Sequence, residues 1–245
     1  MVRKMKIIRK AIKNAHCLVF MDLEATAFSH ELIEIGAYRV LLDDMGKPIK
    51  VGPPFRRFVK ARNPIGRIVV NLTGITEEKL KKEGTPFKEA IEEFRQYVGG
   101  YWKSARFVTF GSHDVVIMHS SAAMNKDADP EMTEHIIDLH FDFQSFLSQY
   151  VQDQNGNPYS LHNYLNIFEI PFEGREHDAL SDAYNLYRLY NEIFIRTDIL
   201  AKQYELALAH NKRLPAPLKD AFKTLSEGKD LTVDRWESSI KETFK

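Results

Sequence analysis

The chain has 245 residues, enough for a sizeable core in one domain with an extension, or in two small domains. Its 34 Lys+Arg balance 34 Asp+Glu, so bulk charge advertises no polyanionic partner and leaves that role to local patches. The single cysteine, Cys17, lies in an apolar run; it excludes a disulfide framework and a thiolate metal site and fits a reducing cytoplasm.

In chain order, Arg3, Lys4, Lys6, Arg9, Lys10 and Lys13 alternate with Met5, Ile7, Ile8, Ala11 and Ile12, without an acid. Residues 1–14 therefore predict a short basic amphipathic helix or an extended arm. This segment lacks the apolar stretch and cleavage site of a secretory signal, and no later segment is long enough to span a bilayer, so a soluble, cytoplasmic protein with no membrane partner is expected. Cys17-Leu18-Val19-Phe20 then leads into Met21-Asp22-Leu23-Glu24-Ala25-Thr26. As a strand, residues 17–24 place Asp22 and Glu24 on one face, where two like charges need a divalent cation or another reason to converge.

Ile33 to Leu42 and Pro54 to Lys60 read as strands separated by turn residues at Asp43 to Pro48, giving three consecutive antiparallel strands. Arg56, Arg57, Lys60, Arg62 and Arg67 form a second basic cluster, suited either to phosphate contact or to discouraging edge pairing. Asn71 to Thr76 begins a turn, and Thr76 starts a short helix. Thr85 capping with Pro86 at the first helical position predicts a second helix, ended by Gly99-Gly100. Arg106 to Phe110 is a strand, followed by Gly111-Ser112-His113-Asp114 and a helix over Val115 to Met124. Ile136 to Leu139 predicts another short strand, Phe141 to Val151 a helix, Asn155 to Pro158 a turn, and Ser160 a cap for a helix through Phe168.

Glu173-Gly174-Arg175-Glu176-His177-Asp178 enters a strong helical segment that runs through Phe194. His177 precedes Asp182 by an offset that brings both toward one site when the histidine lies in the entry loop. Asp178 competes with Asp182, and spacing alone permits either or both to face the first strand. The last fifty residues predict a polar helix around Ile199 to Lys212, a break at Leu214 to Pro217 and two short helical stretches. They form an extension that packs on the domain, mediates association or borders the substrate path.

Asp22, Glu24, Asp114, His177 and Asp182 thus stand at the predicted ends of successive elements, where open α/β sheets place their ligands. This set resembles the DEDDh 3′-5′ exonucleases of the ribonuclease H-like fold. Asp22-Leu23-Glu24-Ala25-Thr26 matches the first motif, Asp114 in Phe110-Gly111-Ser112-His113-Asp114 the second, and His177 with Asp182 the third. Phe110 stands where the family often carries tryptophan. The resemblance covers roughly residues 15–196, leaving an arm at 1–14 and a helical extension at 197–245. It implies an α/β fold: a three-layer ribonuclease H-like architecture with a mixed five-stranded sheet flanked by helices.

The resemblance also implies chemistry. Two Mg²⁺ or Mn²⁺ ions, about 3.5–4 Å apart, would be bridged by Asp22. Glu24 and Asp182 would complete the nucleophile's metal, and Asp114 would hold the second. His177 would act as general base near neutral pH. Leu72, Thr73 and Ile75, in a segment resembling the one that contacts the terminal nucleotide, would bind substrate together with Ala25, Thr26 and Phe110, while Arg56 and Arg57 would touch phosphates. The expected partner is the 3′ end of a single-stranded nucleic acid. The approach to His177 and the compact length resemble the small exoribonucleases related to the RNA-interference-enhancing type and their bacterial sporulation-inhibitor-like relatives, pointing to RNA. A DNA exonuclease and a non-catalytic nucleic-acid-binding module are the alternatives.

Overall fold

The computed structural model describes residues 6–211 and 213–242, so Arg3, Lys4 and Met5 of the predicted basic arm lie outside the described residues. Five strands build one mixed sheet in the order β3-β2-β1-β4-β5. They are β1 Cys17–Ala25, β2 Leu32–Leu42, β3 Pro48–Phe58, β4 Arg106–Thr109 and β5 His140–Asp142. The first three are antiparallel neighbours, whereas β4 pairs parallel with β1 and β5 parallel with β4.

Central β1 is covered on both faces, which is why its sequence is apolar at every position before Asp22. The helices around it are α1 Lys6–Ala11, α2 Arg67–Thr73, α3 Glu77–Glu83, α4 Phe87–Val98, α5 His113–Met124, α6 Pro130–Asp138, α7 Phe143–Leu147, α8 Leu161–Ile167 and α9 Ala179–Ile195. Three more, α10 Thr197–His210, α11 Ala216–Ser226 and α12 Val233–Glu242, follow α9. Leu18, Phe20, Val40 and Leu42 pack with Ile8, Ile12, Phe143, Tyr164, Leu186 and Tyr190 on one face. Val19, Met21, Ile35 and Phe55 pack with Ile91, Phe94, Ile117, Met118 and Ile136 on the other. This is the three-layer ribonuclease H-like arrangement that the motifs implied.

Several elements differ from the expectation, each for a local reason. Strand β3 starts at Pro48, not Pro54; as the outermost strand it tolerates its prolines because one edge has no ladder to feed. The turn at Asn71 to Thr76 is the end of a helix, α2, whose left-handed Gly74 (φ 70°) donates its amide to the Val70 carbonyl. Thr85 does not cap α4: its backbone bridges to β3 through Phe58 and Lys60, and Pro86 takes the cap position. Ile136 to Leu139 is not a strand; Asp129 caps the Glu131 amide and Pro130 opens α6, which carries these residues to Asp138 before Leu139 closes it. Phe141 then belongs to β5, and the helix predicted to Val151 shrinks to α7, capped by Asp142.

One contact sets the height of α9 above the sheet. Gly36, in the interior of β2, lies beneath the first turn of α9, where a Cβ would stand 2.2 Å from the Ala179 carbonyl carbon and from the Leu180 amide nitrogen. Glycine in a strand interior here marks a close approach of two backbones. Gly36→Ala is expected to lower the unfolding free energy in a denaturant titration by about 3 kcal/mol, the upper range of core overpacking. Gly100→Ala, where a Cβ meets nothing within 4 Å, should change it by less than about 0.5 kcal/mol.

Candidate active site

Asp22 and Glu24 lie two residues apart on the α9 face of β1, Asp22 opposite Gly36 and Glu24 opposite Glu34 in the β1–β2 register. Because Gly36 lets α9 descend, Asp182 in that helix's first turn reaches them. One carboxylate oxygen from each of Asp22, Glu24 and Asp182 lies within 4.8 Å of the others. Asp114 arrives from the opposite layer: buried in the first turn of α5, it exerts the largest neighbouring charge effect on Asp22. The site therefore forms where β1 ends between two helix N-termini.

Burial is the first cause of the unusual proton affinities here, and for Asp22 and Glu24 repulsion by their acidic neighbours is the second. Asp22 is raised well above the carboxylate range by burial, then by Asp114, Asp182, Glu24 and Glu34. Burial and the charge of Asp182 push Glu24 up to about 8. Burial lifts Asp114 and Asp182 to about 7, partly opposed by backbone amides, that of Leu23 for Asp114 and that of His177 for Asp182. Among the described residues no lysine or arginine forms an ion pair with any of the four. A set of converging oxygen donors without a protein cation is the donor chemistry that Mg²⁺ or Mn²⁺ requires.

Asp178 takes a different part. It is the N-cap of α9, its Oδ1 accepting from the Ser181 amide at 2.9 Å and the Ser181 hydroxyl at 2.8 Å, and its Oδ2 pairs with Arg56. These donors hold its carboxyl below the ordinary range against the opposing effect of burial.

His177 is exposed, with left-handed backbone (φ 60°), and its side chain stands outside the carboxylate trio. Its loop is tethered on both sides. Glu173 exchanges hydrogen bonds with Asn185 and pairs with Arg188, Arg175 donates to the Leu72 carbonyl at 2.7 Å, and Glu176 meets His162 Nδ1 at 2.6 Å.

The expected substrate contacts separate into two groups. Leu72 is 45% exposed on α2, and Ala25 lies half-buried beside Glu24. Ile75 is buried in a small core with Ile65 and Leu80, and the Thr73 hydroxyl bridges the Val69 carbonyl and the Ile75 amide. The Thr26 hydroxyl serves its own loop, contacting Ser29 Oγ at 2.6 Å and accepting from the Glu31 amide at 3.0 Å. Phe110 packs edge-on against Tyr164. Arg56 and Arg57 do not form a free phosphate-binding pair: Arg56 is engaged by Glu34 and Asp178, and Arg57 by Glu93.

Sequence reasoning missed Gly36, for which an isolated glycine in a strand pattern was the available signal. It also missed Phe28, 91% exposed in the loop after Thr26, and Ile68, 71% exposed on α2. The two segments touch, since Ala27 donates to the Ile65 carbonyl and a Cβ on Gly66 would meet Ala27 Cβ at 2.7 Å.

Comparison with known proteins identifies the family and the fold. The family model described as Exonuclease matches residues 19–190. No curated protein sequence matches the chain. Among solved structures, the nuclease domain of 3′hExo, a DEDDh family member bound to rAMP, superposes with a TM-score of 0.62 at 16% identity, over 74% of this chain and 92% of that one. A full-length 3′-exonuclease gives 0.60 at 15%, over 75% and 62%. E. coli Exonuclease I in complex with a 5cy-dT13 oligonucleotide gives 0.58 at 16%, over 80% and 44%. At these identities the likeness is one of fold, and the chain spans less than two thirds of the last two proteins. The chain belongs to the Exonuclease family. Its motifs resemble those of the DEDDh type, and its fold is ribonuclease H-like. No helix among the described residues is long and apolar enough to cross a membrane.

The raised carboxylates make stability depend on pH and on cations. Protonation favours the folded state wherever the folded pKa exceeds the unfolded one. Their contribution is thus complete below the ordinary carboxylate values of 3.8 and 4.5 and is lost as pH rises through about 7 to 8. In chelator, Tm is expected to fall between pH 5 and pH 8. A divalent cation binds the ionised form, so the Tm gain on adding Mn²⁺ should be larger at pH 8 than at pH 5.5. Calorimetric scans at the two pH values with and without Mn²⁺ check both signs.

Proposed function

We propose that this chain is a metal-dependent 3′-5′ exonuclease that removes nucleotides from the 3′ end of single-stranded nucleic acid, RNA in preference to DNA, and releases 5′-mononucleotides. The observation that carries the proposal is the convergence of Asp22, Glu24 and Asp182, without an ion pair to any lysine or arginine among the described residues, at the sheet end of an Exonuclease-family fold. Residues 15–196 form the catalytic unit in this reading, and 197–245 a helical extension. The buried, unpaired Cys17 fits a reducing, cytoplasmic setting.

Asp22, Glu24, Asp114 and Asp182 would hold two divalent ions. Bound there, the ions supply an acidified water and offset charge on the scissile phosphate. The residues of the chain do the rest. The His177 imidazole accepts the proton of the attacking water, and the tethers at Glu173, Arg175 and Glu176 limit the range of its loop. Leu72 and Ile68 on α2 and Phe28 in the adjoining loop present apolar side chains for the faces of the terminal bases, an arrangement tolerant of sequence. RNA preference rests on the motif resemblance; a site reading the 2′-hydroxyl would distinguish the two polymers.

A time course with 5′-labelled single-stranded RNA and the matching DNA, with Mn²⁺, Mg²⁺ or chelator, tests the proposal. Metal-dependent laddering from the 3′ end, faster on RNA, is expected; faster loss of DNA would overturn the substrate assignment. Absence of cleavage on both would leave a binding module. Asp22→Ala should abolish release. His177→Ala should lower kcat by about 10²–10⁴-fold, the range of general-base contributions, with Mn²⁺ affinity by calorimetry unchanged.

A further inference from the structure

Arg56 stands beside the acidic cleft, where it meets Glu34 and Asp178 rather than any of the four cleft carboxylates. Asp22, Gly36 and Arg56 form one row across β1, β2 and β3, so their side-chain positions face the same layer. Arg56 Nε lies 2.9 Å from Glu34 Oε1, an ion pair without hydrogen-bond alignment, and Arg56 Nη2 donates to Asp178 Oδ2. Glu34 is 1% exposed and directly opposite Glu24. Asp178 caps the same helix one turn before Asp182.

We propose that Arg56 is a positioning residue for the metal site: by bridging Glu34 and Asp178 it fixes the first turn of α9 on β2, and so sets where Asp182 meets Asp22 and Glu24. The inference rests on the metal-dependent reading given above. A planar guanidinium spans two carboxylates on different elements in a way that a lysine ammonium does not. Turning Arg56 outward to a phosphate would leave Glu34 buried beside Glu24 without its cation, the costly half of a broken buried pair. The bridge also separates two sets of acids. Glu34 and Asp178 share Arg56, although burial still lifts Glu34 to about 7, while Asp22, Glu24, Asp114 and Asp182 pair with no described lysine or arginine.

Charge and geometry predict opposite effects when Arg56 is changed, which makes the inference testable. Arg56→Met makes the cleft more negative, so Coulomb attraction alone would tighten cation binding. Loss of positioning weakens it. In Mn²⁺ calorimetry on the full chain, Arg56→Met is expected to weaken binding by about 10-fold or more, the effect typical of groups that orient metal ligands. In nucleotide-release assays kcat should fall while KM for the oligonucleotide stays constant. Arg56→Lys keeps both charge and fold and should lie between the two. Unchanged or tighter Mn²⁺ binding in Arg56→Met would overturn the proposal, as would Mn²⁺ binding in Arg56→Lys equal to the starting protein. A raised KM with a shallower salt dependence and an unaltered Mn²⁺ titration would make Arg56 a phosphate contact instead. Should the unaltered chain bind Mn²⁺ yet release no nucleotide, the exonuclease reading fails while the Mn²⁺ titrations still decide the role of Arg56.

Discussion

The backbone of α9 rests on the backbone of β2 at Gly36, and the acidic cleft depends on that approach. With any side chain in between, the helix would stand off by the thickness of a methyl group or more, and Asp182 would withdraw from the trio it forms with Asp22 and Glu24. The same contact places Asp178, the cap of α9, where Arg56 reaches it. A single missing side chain thereby decides the spacing of charges contributed by three strands and one helix.

That spacing is costly to the unliganded fold. Each carboxylate drawn into the cleft loses hydration and gains like-charged neighbours, so the folded chain resists ionising them, as the raised Asp22 and Glu24 record. The cleft and the fold therefore pull against each other until cations arrive, a conflict common where function is built into a stable scaffold. Nearby cationic side chains offer little relief. Arg57 is engaged by Glu93 and Arg188 by Glu173. With four carboxylates and no ion pair to a described lysine or arginine, the cleft itself offers a phosphodiester no attraction until cations load. Loading with divalent ions would then govern substrate approach as well as chemistry.

What the sequence disclosed follows from where its signals are local. Asp22 and Glu24 stood out because the period of a strand puts i and i+2 on one face, and Asp182 because it follows a histidine at a helix entry. The α2 and α6 helices did not stand out. Gly74 reads as a turn until one knows that it closes the helix before it, and Ile136-Ile137 resembles a strand until Asp129 and Pro130 are recognised as a helix start six residues earlier. Arg56 was legible as a charge but not as a bridge, because its partners are twenty-two residues away on β2 and one hundred and twenty-two away on α9. Only the register of the sheet brings them together.

The segment that carries the family signature begins at residue 19, inside β1, and ends at Tyr190, inside α9. The core beneath the cleft extends beyond both limits. Ile8 and Ile12 from the amino-terminal side and Ile193 from the end of α9 are buried against Phe20 and its neighbours, while the Tyr190 hydroxyl donates to the Gly46 carbonyl at 2.7 Å. A fragment trimmed to the recognisable signature would therefore keep every carboxylate and lose the apolar closure of the layer on which α9 lies. In this chain the unit that evolution marks and the unit that folds have different ends.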